Sequence, residues 1–392
     1  MSWKESGPVS ERMKFVTLLE SGQRSMTSLC REFGISRKTG YKFAERFESE
    51  GPDGLKDRSR APHLHARETP KEIRDLLIDA RRKHSSWGPR KLKAWLEDKD
   101  PTLDLPYPST IGDLLKREGL VRPRRRRFHV PVAATLPSPI REPNQEWDAD
   151  FKGQFRLGNG DYTYPLTITD HFSRYLLEVR ALKETSTAVT LPCLERVFRE
   201  YGLPETLRTD NGSPFASVGL GRLSRIAVVC IKLGIRPIRG RPHHPQDNGR
   251  HERMHRTLKA ETTRPPEFGP RGQQRRFYGF RNEYNFERPH EALGQKPPAR
   301  LYRPSPRVYP TRIPKIEYPA HYEVRRVCER GNFTWRGQGI FATASLDGEH
   351  IGLVEVDDGL WKVFFGTLEI GVLDQKYLSR HKSGRVLPMS PV

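Results

Sequence analysis

The chain has 392 residues, and its Lys plus Arg outnumber Asp plus Glu by 69 to 48, a formal net charge of +21. Such a balance points to a polyanionic partner, nucleic acid ahead of an acidic membrane surface. With no run of about 18 apolar residues and no apolar signal core in Met1–Gly7, the expectation is a soluble, cytoplasmic, multidomain protein with no membrane partner. Four cysteines, Cys30, Cys193, Cys230 and Cys328, lie far apart with no C-x-x-C pair. They read as buried thiols in a reducing compartment, neither a disulfide frame nor a zinc knuckle.

Residues 9–60 read as a first helical domain. Met13, Val16 and Leu19 stand at helical spacing, and Thr27 opens a short helix with Leu29, Cys30 and Phe33 inward. Gly34-Ile35 makes a tight turn, and Ser36 caps a third helix that runs through Phe47. This is the helix-turn-helix pattern, with Arg37, Lys38 and Lys42 on an exposed recognition helix. The alternative is a three-helix bundle with a basic surface.

A second helix-turn-helix or winged-helix domain is expected over 68–122. One helix starts after Pro70, another at Gly88-Pro89 with Leu92, Trp95 and Leu96 on one face, and a third spans Thr110–Glu118 and ends at Gly119. Arg122 and Arg124 to Arg127 follow. That run suits a phosphate backbone, Arg124 and Arg125 above all, or a solvated segment. Residues 123–143, rich in Pro and Ala, form a linker.

From 144 the pattern turns to β. Glu146–Leu157 alternates, Gly158-Asn159-Gly160-Asp161 is a hairpin turn, and Tyr162–Thr169 alternates again. A third strand (Arg174–Leu182), a helix (Thr185–Tyr201), a short strand (Thr206–Thr209), a helix near Leu220–Leu233 and a strand (Ile235–Arg239) complete a mixed α/β sheet. A long helix is expected over Gln274–Phe286. Prolines mark 301–323 as a stiff linker, and short alternating strands over 324–380 predict a small β-barrel.

The stretch from His243 to Glu261 carries the chemistry. Pro245 and Gly249 keep its start out of a helix that Asp247 or Asn248 would cap. Glu252 and Lys259 are seven positions apart, so they stack on one helical face. A carboxylate beside an ammonium suits a metal ion holding phosphate. The same letters spell His251-Glu252-Arg253-Met254-His255, the H-E-x-x-H zinc-hydrolase signature, with Glu287 available as a third ligand. A solvated basic helix is the third reading. Asp150, mid-strand in Trp147-Asp148-Ala149-Asp150, and Asp210, ending Leu207-Arg208-Thr209-Asp210-Asn211-Gly212, are acids that could join Glu252 around divalent ions. Asp148 beside Asp150 reads as a salt-bridge partner.

Together these motifs resemble the transposases of bacterial insertion sequences in the D-D-E superfamily, whose RNase H-like core is like that of retroviral integrases. Trp147-x-x-Asp150 looks like the first-carboxylate motif and Thr209-Asp210-Asn211-Gly212 like the second. His244-Pro245-Gln246-Asp247-Asn248-Gly249 leading to Glu252, then Lys259 and Glu261, looks like the third. Tyr284-Asn285-x-x-Arg288-Pro289-His290-x-Ala292-Leu293-Gly294 is similar to the segment that follows in those elements. The core resemblance covers roughly 145–300. The gap of 41 residues between Asp210 and Glu252 (211 to 251) is longer than usual, which suggests a longer loop around 211–224. Gly249 stands where many relatives have Ala.

The resemblance implies a fold of helix-turn-helix units, an RNase H-like catalytic core over 144–300 and a C-terminal barrel. It implies a DNA transposase in which Asp150, Asp210 and Glu252 hold Mg²⁺ or Mn²⁺, two ions in all. Arg253, Arg256, Lys259 and Asn248 would contact DNA, both element ends and target, and the protein would act as a homo-oligomer. A catalytically silent DNA-binding regulator of the same descent is the alternative.

Overall fold

The computed structural model describes residues 7–58, 68–121, 140–217, 221, 223–240, 249–376 and 384–385. The chain divides into two compact units, Met1–Thr69 and Pro70–Val392.

In the first unit, α1 (Pro8–Glu20), α2 (Met26–Glu32) and α3 (Arg37–Glu50) precede a 3-10 turn, Gly51–Leu55. Ser25 and Ser36 cap α2 and α3, their hydroxyls accepting from the amides of Ser28 and Thr39. The chain between these helices passes through Gly34 at φ +64°, a conformation that suits a residue without Cβ. Phe15, Val16, Leu29, Cys30, Phe43 and Leu55 make the small core. Gly40 lets α3 approach closely, since a Cβ there would lie 2.7 Å from the Cys30 sulfur.

The second unit begins with α4 (Lys71–Lys83), α5 (Pro89–Lys99) and α6 (Pro108–Arg117). Pro89 and Pro108 stand in the first turn of α5 and α6, where an amide hydrogen would lack a helical partner anyway. Leu77, Trp87, Leu92, Trp95, Ile111 and Leu114 pack between the helices. Among the described residues this region has helices only, with no strand to act as a wing.

The sheet contains β1 (Glu146–Phe151), β2 (Phe155–Arg156), β3 (Tyr162–Asp170), β4 (Leu176–Leu182), β5 (Thr206–Thr209) and β6 (Arg236–Arg239). Helix α7 (Thr187–Tyr201) connects β4 to β5, and α8 (Arg225–Lys232) lies between β5 and β6. β1, β3 and β4 pair antiparallel, whereas β1–β5 and β5–β6 pair parallel, as helical crossovers require. The order β4-β3-β1-β5-β6, with β2 on the β3 hairpin, is RNase H-like. The single strand expected over Glu146–Leu157 is broken after Phe151. The Lys152 amide still donates to the Pro165 carbonyl at 2.8 Å, but Pro165 has no N–H to return, so the ladder stops.

One face of the sheet buries Trp147, Ala149, Leu166 and Ile168 under α7 and α8. Trp147 is fully buried beside Phe198 and donates its indole N–H to Asn144 at 3.1 Å; truncating such a side chain costs roughly 3–5 kcal/mol. The opposite face carries α9 (Gly249–Thr262) and α10 (Pro270–Asn282), whose Met254, Leu258, Phe277 and Phe280 pack on Leu176 and Val179. A π turn, Glu283–Glu287, continues α10 and takes up the end of the helix expected over 274–286.

Residues 302–307, read from sequence as linker, are laced to the sheet domain. Ser305 donates its amide to the Tyr201 carbonyl at 2.8 Å, and the Arg307 guanidinium donates to the carbonyls of Pro204, Leu233 and Gly234 at 2.6 to 2.9 Å. Prolines deny this segment a ladder of its own, so its remaining polar groups pair with loops of the core.

Beyond it lie β7 (Glu323–Arg326), β8 (Asn332–Trp335), β9 (Gln338–Phe341), β10 (His350–Asp357), β11 (Leu360–Phe365), β12 (Leu368–Asp374) and β13 (Gly384–Arg385). They form two open sheets, β12-β11-β10-β7 and β13-β9-β8, where the alternation suggested a closed barrel. Alternation specifies the buried face of a strand but not whether the first strand meets the last. The module's core, including Phe333, Trp335, Leu353 and Phe365, runs on into Leu223, Ala227 and Val228 at α8. Cys30, Cys193 and Cys230 are buried thiols, burial pushing Cys193 up to about 11 and Cys230 to about 12; Cys328, against expectation, is exposed. No helix among the described residues is long and apolar enough to cross a membrane.

Candidate active site

The register of the parallel pair positions the first two acids. Asp148 faces Arg208 and Ala149 faces Thr209 across β1 and β5. Asp150 follows Ala149 on β1 and Asp210 comes directly after β5, near the carboxyl ends where open α/β sheets place their ligand sites. Asp150 is half-buried. Asp210 is exposed as a residue, yet its carboxyl loses enough water to the surrounding loop that burial raises its pKa, with the Gly212 amide pulling the other way.

Helix α9 brings the third. Its buried face carries His251, Met254, His255 and Leu258, and Glu252, Arg253, Arg256 and Lys259 are exposed. Both histidines dock on β3. The Nε2 atoms of His251 and His255 each lie 2.7 Å from Thr167 Oγ1, and His251 Nδ1 lies 3.0 Å from Thr169 Oγ1. Thr167 donates its own hydrogen to the Asp150 carbonyl at 3.0 Å, so the two imidazoles supply N–H donors to its oxygen. His255 Nδ1 then faces Asp150 Oδ2 at 3.9 Å. Burial pushes His251 down to about 4 and His255 to about 2, so both rings are neutral near pH 7. Glu252, one turn before His255 on the helix, is exposed, and Asp150, Asp210 and Glu252 are not a set whose ligand atoms all lie within 4.8 Å of one another. Lys152, just past β1, has its pKa lowered first by burial and then by the charge of Lys259, against the pull of Asp150.

The H-E-x-x-H letters are therefore split between two environments. Asp150, His251 and His255 offer ligand atoms within 4.8 Å of one another, but both nitrogens of His251 are taken by threonine hydroxyls. Glu287, the proposed third zinc ligand, pairs with Lys83 at 3.9 Å. The histidines of the H-E-x-x-H letters thus group with Asp150 and not with Glu287.

The segment after α10 buttresses the site. The Asn285 side chain accepts from the Leu176 amide at 2.8 Å and donates to its carbonyl at 3.0 Å, as a neighbouring strand would. Arg288 donates to Glu261 near the end of α9 at 2.8 Å. His290 is pushed down to about 3, mainly by burial. Between this segment and α5 lies a cleft of about 1300 Å³ lined by Arg90, Lys93, Arg174, Arg250, Lys296 and Arg300 among others.

In the first unit, Arg37, Lys38 and Lys42 are exposed along α3. Arg124, Arg125 and Asn248 lie outside the described residues, as do Pro245 and Asp247. Sequence reasoning missed Thr167, His171, Arg208 and the buried role of His255. The one visible signal was an acid at every second position of a strand, Glu146, Asp148 and Asp150, all on one face.

Comparisons with known proteins agree with this architecture. The profile of the integrase core domain matches residues 140–245 and a second integrase core profile matches 233–298. A helix-turn-helix domain matches 11–63, a homeodomain-like domain 39–115, and the C-terminal domain of IS481 family transposases 322–380. The Pol polyprotein of Radiation murine leukemia virus (strain Kaplan) is 32% identical over 122 residues, 31% of this chain and 20% of that protein. The Gag-Pol polyprotein of Feline leukemia virus is 32% identical over 124 residues, 32% of this chain and 7% of that protein. The chain thus spans a fifth or less of the length of these relatives. Among solved structures, the HTLV-2 integrase catalytic core domain in complex with magnesium is similar at 16% identity and a TM-score of 0.34, over 41% of this chain and 98% of that one. A simian T-cell lymphotropic virus intasome in complex with a PP2A regulatory subunit is similar at 17% identity and a TM-score of 0.36, over 75% of this chain and 97% of that one. With helix-turn-helix domains, an integrase core and an IS481-type C-terminal domain matched in one polypeptide, the chain resembles, domain by domain, the insertion-sequence transposases that carry an integrase-like core.

Proposed function

We propose that the protein is a DNA transposase that binds the ends of an insertion sequence, cuts a strand there and joins the released 3′-hydroxyl to target DNA. Asp150, Asp210 and Glu252 are the acids assigned to the reaction. The observation that carries this reading is the position of Asp150 and Asp210 near the carboxyl ends of adjacent parallel strands, with the helix of Glu252 tied to the Asp150 backbone through His255 and Thr167.

The donor set fits hard divalent cations. Three carboxylates offer oxygen ligands of the kind Mg²⁺ and Mn²⁺ prefer. Burial raises the Asp210 carboxyl, and a bound cation would offset that cost. The neutral His255 adds no competing positive charge beside Asp150. When bound, one or two such ions supply activation of an attacking oxygen and stabilisation of the leaving one in an in-line displacement.

The chain's other residues bind and orient the DNA. Lys152 and Lys259 present ammonium groups on the Asp150 side, where a scissile phosphate would be held. Arg253 and Arg256 on the exposed side of α9 add a field that draws phosphate. The basic cleft beside α5 suits the backbone of an element end, and Arg37, Lys38 and Lys42 suit base and phosphate contacts from the first unit. Pairing two ends calls for a homo-oligomer on DNA, in the cytoplasm of a bacterial cell.

The test incubates purified protein with an end-sequence duplex and Mg²⁺. Nicked or joined products are expected, lost with EDTA and lost in Glu252→Gln while duplex binding survives. Binding without products under Mg²⁺ or Mn²⁺ would mark a catalytically silent regulator instead. Cleavage by Glu252→Gln at the parental rate would overturn the assignment of the acids.

A further inference from the structure

We infer that Arg208, Asp148, His171 and Arg250 form a positioning network that holds β1, β5 and α9 in mutual register; this rests on the three acids assigned above. Each of those acids has a charged residue two positions before it: Asp148 before Asp150, Arg208 before Asp210, Arg250 before Glu252. On a strand, a step of two returns to the same face. Asp148 therefore stands directly behind Asp150 on β1, and Arg208, two residues before Asp210, is its register partner across the parallel pair.

The contacts run unbroken from one element to the next. Arg208 forms an ion pair with Glu146, Nη2 to Oε1 at 2.8 Å, and its Nε lies 3.7 Å from Asp148 Oδ1. His171, in the turn after β3, donates from Nδ1 to Asp148 Oδ2 at 2.8 Å and lies 3.3 Å from Glu146 Oε1. Arg250, in the first turn of α9, donates to His171 Nε2 at 2.6 Å, which fixes the ring proton on Nδ1. Glu146, Asp148 and His171 are only 5 to 6% exposed.

Glu146, Asp148 and His171 also offer three ligand atoms within 4.8 Å of one another. Two guanidinium groups already lie against that cluster and balance its two carboxylates, so it is filled by arginine and not left for a metal. Nor is stability an adequate account, because a buried ion network gains little over apolar residues of the same volume. What the network adds is spacing. Backbone pairing fixes β1 against β5, but no ladder fixes how far α9 slides along the sheet. The Arg250–His171–Asp148 chain, with the His251 and His255 docking on Thr167, sets that distance and with it where Glu252 stands relative to Asp150 and Asp210.

The experiment uses the full chain and three readouts: Mn²⁺ binding followed by the electron paramagnetic resonance of unbound Mn²⁺, end-sequence duplex binding by fluorescence anisotropy, and thermal unfolding. The variants are Glu252→Gln, Arg250→Gln, Arg250→Lys and the neutral pair Asp148→Asn with Arg208→Gln, which leaves the net charge of the cluster unchanged. Arg250→Gln and the neutral pair should each weaken Mn²⁺ binding by about 10-fold or more, the effect of losing a group that orients a metal ligand, while the neutral pair, which lies outside the cleft lining, keeps duplex affinity within about twofold. Arg250→Lys, which can still donate to His171, should recover part of the loss. If Glu252→Gln loses Mn²⁺ binding but Arg250→Gln and the neutral pair bind as the parent does, the network positions nothing. If both fail to fold, it is a stabilising device and the inference falls. If Glu252→Gln itself binds Mn²⁺ and cuts like the parent, the assignment of the acids fails instead.

Discussion

His251 and His255 meet on a single atom, each with its Nε2 2.7 Å from Thr167 Oγ1, while that hydroxyl donates to the Asp150 carbonyl at 3.0 Å. One threonine thus joins the helix bearing Glu252 to the backbone of the strand bearing Asp150. Thr167→Val keeps the shape but leaves two buried ring N–H groups facing a methyl. Each costs about 1–3 kcal/mol when unsatisfied, so the urea midpoint should fall clearly and strand cleavage with it. Thr167→Ser keeps the oxygen and should stay close to the parent. A valine variant with an unchanged midpoint would show that the convergence is incidental.

Acid should weaken the second unit through His290. Burial, with Lys91 and Arg288 nearby, pushes it down to about 3 in the folded chain, against an unfolded value of about 6.5. The unfolded chain therefore takes up the proton first as pH falls. The stability associated with neutral His290 is fully present above about pH 6.5 and drains away toward pH 3, by as much as a few kcal/mol. Chemical denaturation at pH 7.5 and pH 5 should show a smaller difference in His290→Asn than in the parent. Equal differences would remove His290 as the cause.

The first unit makes a separable prediction. Ser36 caps α3 by accepting from the Thr39 amide at 3.2 Å, so Ser36→Ala should cost about 1 kcal/mol and loosen the helix that presents Arg37, Lys38 and Lys42. Replacing any one of those three with Gln should weaken duplex binding and reduce the slope of log K against log salt by about one where a phosphate contact is lost. A slope unchanged in all three variants would place the DNA elsewhere on the protein.

The C-terminal module shares its core with α8, and Lys232 on that helix pairs with Glu349 at 2.9 Å. Ending the chain before β7 should uncover Leu223, Ala227 and Val228. Light scattering should then report aggregation of the shortened protein at concentrations where the full chain is monodisperse, as an exposed apolar patch predicts. A shortened chain that stays monodisperse would show that the shared core is dispensable.

Much of the fold was legible because its signals are local. Alternation marked β3, Ser36 marked a helix start, and the acids at 150, 210 and 252 were nominated by strand position and by the resemblance of their local motifs. Where reasoning from sequence departed from the structure, the deciding contact came from a distant part of the chain. The strand through Lys152 ends because Pro165 faces it. Residues 302–307 are fixed because Tyr201, Pro204 and Leu233 turn polar backbone groups toward them.

The sequence by itself determined that His251, Glu252 and His255 share one helix, but helical spacing says nothing about which way that helix is turned. The tertiary structure decided it. β3 offers Thr167 and Thr169, polar enough to satisfy two imidazoles in a buried layer, so the histidines turn inward and the glutamate outward. The pairing of Asp148 with Arg208 was likewise beyond a linear reading, since strand register depends on two segments sixty residues apart settling side by side.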